Sequence, residues 1–310
     1  MSSVDGLPLV YLDQNIVGYA SEGRIRIKGD FVAVYSSEHF SEMARGADRG
    51  LFEPLRALKA RRIVPVLVDF VPTGELKLLP YEDPEVAFDR YLEAVGEVPV
   101  DESLHCDLLA GLFGADNLET LQGLPARLRE QLSSLFELIG EDAVGLVDRG
   151  EDAVESLQGI VEDWAPKIEP INVQRRRIGM AEDVVSGLDP DTNPIKAIWE
   201  VIKDHVVGIS EFQFFGLEAH EGENWVPREQ FDAVLVLHTV LNHLGFKPDK
   251  GLSSSARLPN ILSDGRHIAY GSFCSVVLSA DRRFRAKARA IYEYLGFSIN
   301  VPEFEFSSKS

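Results

Sequence analysis

The chain opens on an unbroken apolar run, Leu9-Val10-Tyr11-Leu12, that stops abruptly at Asp13, Gln14 and Asn15. Short runs of this kind, partly β-branched and aromatic, are the pattern of a strand buried on both faces, as in a parallel sheet. The run predicts a first strand that delivers Asp13 to a sheet edge. The carboxyl ends of strands are where open α/β sheets bind ligands. Asp is also a favoured helix cap, so this stretch alone leaves Asp13 either a cap or a ligand-binding acid.

Phe31-Val32-Ala33-Val34-Tyr35 repeats the pattern, and Ser36 or Ser37 then caps a helix to about Arg45, with Gly46 placed to end it. Glu38 and Glu42 share one face of that helix, and like charges at this spacing repel weakly. Residues 51–62 read as a basic helix and Ile63 to Phe70 as a further apolar strand or buried segment. From about Asp83 apolar positions recur every three and four residues, predicting helices over 84–95, 102–112, 118–138, 141–164, 194–205, 209–218 and 228–244. A polar loop at 249–255 leads into a helix over 262–271, a strand over 275–281 ending in Asp281, a helix over 282–295 and a last strand, Phe297 to Val301. Strand, helix, strand in this order predicts α/β architecture with a parallel sheet. The expected division is a core half at 1–80, a helical insertion at 81–250 and a second core half at 251–310.

Composition changes the picture mainly through charge. The net charge of −19 argues against general affinity for nucleic acid, which rests on clustered Lys and Arg. From Glu82 to Pro170, however, 22 acidic residues face 5 basic ones, a net of −17, so the acidity belongs to the insertion. Basic residues cluster instead at Arg24, Arg26 and Lys28, at Arg175 to Arg177, and at Arg282, Arg283, Arg285, Lys287 and Arg289. Of these, Arg282 and Arg283 stand nearest the Asp281 strand end. Cys106 and Cys274 have no paired spacing, which argues against a disulfide framework and a thiolate metal site. The N-terminus lacks the basic start and apolar core of a signal peptide, and no apolar run reaches the ~18 residues of a membrane span; the expectation is a cytoplasmic protein without a membrane partner.

Asp13, Glu42, Asp264 and Asp281 are four carboxylates on separate supports. Brought together, they would raise one another's pKa unless neutralised, and hard divalent cations favour all-oxygen shells. Val10 to Asn15, Tyr35 to Gly46, Asp264 with His267, Ala269 and Tyr270, and Leu278 to Phe284 resemble, in order, the motifs of PIN-like nucleases. The resemblance covers residues 7–70 and 255–303. It implies a Rossmann-like parallel sheet in which Asp13, Glu42, Asp264 and Asp281 hold Mg²⁺ or Mn²⁺ and hydrolyse phosphodiester bonds, usually of RNA, often in toxin or defence settings. Asn15, Glu38, His39, His267 and Ser279 would then support the acids, and Arg282 and Arg283 would bind substrate. Ser275 departs from relatives that carry an acid there. For His39 and His267 the plain alternative is a satisfied structural histidine. Two further readings stand beside the endoribonuclease: an inactive PIN-like module that binds a protein partner through its acidic insertion, and a haloacid-dehalogenase-like phosphatase, which would require an acid where Asn15 stands.

Overall fold

A computed structural model describes residues 3–46, 48–68, 71–96, 102–115, 118–140, 144–181, 184–185, 187–188, 191–219 and 228–303. The strands are β1 (Ser3–Val4), β2 (Leu7–Leu12), β3 (Val32–Ser36), β4 (Arg61–Val68), β5 (Val71–Leu78) and β6 (Val276–Leu278). Around them are α1 (Gln14–Ser21), α2 (Ser37–Gly46), α3 (Phe52–Ala57), α4 (Pro84–Gly96), α5 (Glu102–Leu112), α6 (Leu118–Ile139), α7 (Val144–Trp164), α8 (Ile171–Arg177), α9 (Pro194–Ile202), α10 (Glu211–Phe214), α11 (Gln230–Leu244), α12 (Leu258–Gly271) and α13 (Arg282–Tyr294). The start of the helix expected over 141–164 lies outside the described residues.

The α/β class holds, but the sheet is mixed rather than parallel. β6, β2, β3 and β4 run parallel side by side, while β1 joins β2 and β5 joins β4 in antiparallel register. β5 escapes a reading by pattern because Pro72 and Gly74 interrupt it with turn chemistry. Pairing with β5 also draws β4 back to Arg61, so the helix expected over 51–62 shrinks to α3. The expected last strand reduces to one parallel bridge, between Val276 and Asn300.

β2 is unbroken in its hydrophobicity because both its faces are buried. Leu9 and Tyr11 enter one core with residues of α9, α11, α12 and α13, and Val10 and Leu12 enter a second with residues of α1, α2 and α3. From β2 the chain proceeds to β3 on one side, and β6 pairs on the other. Such a reversal of strand order opens a crevice at the carboxyl ends of the strands. Asp13, Ser37 and Ser279 follow those ends directly.

Two compact units emerge, residues 1–91 with 178–248 and 262–310, and residues 92–177 with 249–261. These boundaries differ from those expected at 80 and 250, because the hydrophobic faces of α9 and α11 belong to the core on the sheet. The second unit has its own small core around Leu121, Leu124, Val161 and Ala165. Among the described residues no helix is long and apolar enough to cross a membrane.

Candidate functional site

The site is built at the carboxyl ends of β6, β2 and β3. Asp13 is the N-cap of α1, its Oδ1 accepting from Gln14 N at 2.8 Å. It is also 3% exposed, and Oδ2 accepts from the Ser279 hydroxyl at 2.6 Å and from the Asn15 amide. The alternatives that sequence left open for Asp13 are therefore not exclusive, since capping engages one oxygen and a polar cluster the other. Burial pushes the Asp13 carboxyl above its ordinary value and Glu42 adds to this, against the opposing pull of His267 and the Ser279 hydroxyl. Asn15 turns its carbonyl oxygen to Ala280 N at 2.8 Å, tying the turn after β2 to the turn after β6.

Ser279 makes the next link. Its Oγ accepts from Asp281 N at 3.1 Å while donating to Asp13, so one hydroxyl joins the two strand ends. Asp281 is exposed and caps α13, accepting from Arg283 N at 2.6 Å and Phe284 N at 3.1 Å.

On the other side, α2 presents Glu38 and Glu42 to α12. The Ser263 hydroxyl lies 2.6 Å from Glu38 Oε1 and 2.5 Å from Glu42 Oε1. A hydroxyl has one proton to donate, so it serves these carboxylates one at a time. Glu38 is buried, contrary to a solvated helix face, and its Oε2 accepts from Arg266 Nη1 at 3.3 Å.

His267 sits beneath this pair, fully buried, with Nε2 3.5 Å from Glu42 Oε1 and without a hydrogen-bond partner. The contact is an ion pair at a length where little hydrogen bonding remains. Burial alone would lower the His267 pKa, but Glu42, Asp13 and Glu38 raise it to about 9. Glu42 responds in kind: burial pushes it up, while His267, Ser263 and His39 draw it down to about 2. A protonated His267 then has Nδ1–H to donate to the Tyr11 hydroxyl at 2.7 Å, which passes its own proton to Ser36 Oγ at 2.8 Å.

His39 is the opposite case. Its Nδ1 accepts from Ser36 N at 3.2 Å and its Nε2–H donates to Leu12 O at 2.6 Å, which fixes the neutral tautomer. Burial and the nearby His267 hold its pKa down to about 3. The two rings meet edge to face, 4.7 Å between centroids. One is a cation held by acids, the other a neutral strut between strand ends.

Asp13, Asn15, Ser279 and Asp281 thus form one connected cluster, and Glu38, Ser263, Glu42 and His267 a second, electrically coupled to the first through His267. Asp264 is half-buried one turn before His267. Among the described residues no three acidic, imidazole or thiolate side chains converge as an ion-binding group. Both oxygens of Asp13 and of Glu38, and one oxygen each of Glu42 and Asp281, face protein donors. Arg282 and Arg283 are exposed beside Asp281. The rest of that basic cluster is corrected: Arg285 and Lys287 are buried, Arg285 donating to Ser279 O at 2.7 Å and Lys287 to Asn242 Oδ1 at 3.3 Å, while Arg289 binds Val301 O at 2.8 Å. They fasten α13 in place.

Sequence reasoning missed Tyr11, Ser36, Ser263 and Arg266. Period-two alternation puts Tyr11 on the same side of its strand as Asp13, and that signal was readable. Nothing local marks Ser263, whose role exists only because α12 packs against α2. No family model matches the chain, and no curated protein and no solved structure matches it.

Proposed function

We propose that this chain is a metal-dependent phosphodiesterase of the PIN-like class, acting on nucleic acid and on RNA first. One observation supports the reading: at the carboxyl ends of two adjacent parallel strands, where strand order reverses, the Ser279 hydroxyl donates to the buried Asp13 carboxylate and accepts from the backbone N–H of Asp281. The donor set suits a hard divalent cation such as Mg²⁺ or Mn²⁺, being oxygen throughout. Asp13, Glu42, Asp264 and Asp281 are the residues that would hold it. Such an ion supplies an activated water and positive charge at the phosphoryl oxygens.

The chain's own residues prepare the ground. Burial of Asp13 with an elevated pKa favours a partner cation, because the charged carboxylate is under-solvated there. Ser279 and Asn15 fix its rotamer, and Ser263 and His267 fix that of Glu42. Arg282 and Arg283, exposed at the start of α13, are placed to meet the phosphate backbone. The net negative charge disfavours loose polyanions, so the substrate is expected to be structured or delivered.

Incubation with RNA and DNA panels and Mn²⁺ or Mg²⁺ tests this. Cleavage should fall by at least about 100-fold in Asp13→Asn and Asp281→Asn. Undiminished cleavage in both variants, or none by the parent chain, overturns the reading.

A further inference from the structure

Glu38 is the acid for which the nuclease reading has the least use, yet it is paired with two arginines. Arg266 Nη1 donates to its Oε2 at 3.3 Å, and Arg45 Nη2 lies 4.0 Å from its Oε1. Arg45 is steadied further by the Ser41 hydroxyl at 3.0 Å. Both guanidinium side chains remain about a third exposed, at 32% and 34%.

We propose that Arg45 and Arg266 form a phosphate subsite that grips a non-scissile backbone phosphate of a single-stranded nucleic acid. The inference rests on the nuclease reading and adds to it the residues that hold the strand. Two cations on one carboxylate leave a surplus of positive charge beside an otherwise acidic site. A guanidinium carries five N–H donors in a fixed fork, so the bond to Glu38 leaves donors for a phosphate and holds the fork in place before it binds. Pre-ordering lowers the entropy lost on binding. Glu38 is thereby an anchor for arginines, and its link through Ser263 to Glu42 sets the subsite at a fixed offset from the acids.

The test uses the full chain carrying Asp281→Asn, which silences cleavage while Asn keeps the helix cap. Fluorescence anisotropy follows a labelled single-stranded RNA, and a DNA of the same sequence, over a range of salt with Mg²⁺ present. Arg45→Gln with Arg266→Gln should weaken binding about tenfold and flatten the plot of log K against log salt by about 0.7, the share of one single-strand phosphate. Arg266→Lys should keep the slope and lose about threefold in affinity, because charge survives and the fork does not. Should the double variant misfold by circular dichroism, Arg45→Gln alone, on a partly exposed side chain, is read the same way. Unchanged affinity and slope in these variants overturn the subsite and leave the nuclease reading standing. Absence of binding to either nucleic acid by the parent protein overturns both.

Discussion

Two aspartates end two neighbouring parallel strands, and the same local grammar leads them to different fates. Asp13 and Asp281 each follow an apolar strand, precede a helix and cap it. Asp13 is sealed beneath its neighbours with three donors on its two oxygens, whereas Asp281 stands in solvent with its two carboxylate hydrogen bonds directed to its own helix. The difference comes from position in the sheet. β2 is flanked on both sides, by β3 and β6, so whatever leaves its carboxyl end is surrounded; β6 is short and backed by a single bridge. A capping acid on a central strand becomes a buried charge to be managed, and on a peripheral one it remains a cap.

The sharpest way to break this comparison is to remove each carboxylate and measure unfolding. Asp13→Ala strands the Ser279 hydroxyl, the Asn15 amide and the Gln14 N–H, and should cost about 3 kcal/mol, since each buried donor left unpaired costs on the order of 1–3 kcal/mol and the losses are not additive. Asp13→Asn keeps the shape and one acceptor and drops a charge that burial penalises, so its loss should be clearly smaller. Denaturant midpoints that rank Asp13→Ala level with Asp281→Ala would erase the distinction.

A second prediction concerns how the buried charges are managed, with pH as the probe and EDTA present throughout. His267 has its pKa raised from 6.5 to about 9, so its contribution is complete below pH 6.5 and is lost as pH rises through 9. His39, lowered from 6.5 to about 3, contributes above pH 6.5 and loses that contribution as pH falls towards 3. Glu42, lowered from 4.5 to about 2, adds a further acid loss below 4.5. The thermal midpoint should therefore peak near pH 6.5, with two opposed histidines shaping its flanks. His267→Gln should remove the decline between 6.5 and 9; a decline of equal depth in that variant means that another group is responsible.

How much of this was readable beforehand follows the range of the interactions. β2, β3, α2, β6 and α13 are written in local pattern, with apolar runs, a serine at a helix start and an acid after β2 and after β6. β5 was not, because Pro72 and Gly74 signal a turn while its pairing with β4 is decided across the hairpin. The same division runs through the site. Asp13, Asn15, Ser279 and Asp281 sit at element ends, where chain direction alone places them, and Glu42 shares a helix face with Glu38. Ser263 and Arg266 matter only because α12 lies against α2, and the 14-residue span of α12 gives no hint of its partner. The basic run on α13 misled for a related reason: one helix turns successive cations both outward and inward, so Arg282 and Arg283 face solvent while Arg285 and Lys287 are interior.

The smallest effects lie at Asp281, and they are the most discriminating. As an exposed cap its carboxylate should be worth about 1 kcal/mol to α13, the usual difference between a capping side chain and alanine, whereas Asn caps about as well as Asp and should cost no more than a few tenths. Charge plays little part in that role. If the same position serves a cation, Asp281→Asn should cut cleavage severely while leaving the unfolding midpoint where it was, and the gap between the two measurements separates a cap from a ligand. An Asp281→Asn protein that loses stability as Asp281→Ala does would mean that the negative charge itself supports the fold, placing Asp281 in the same class as Asp13.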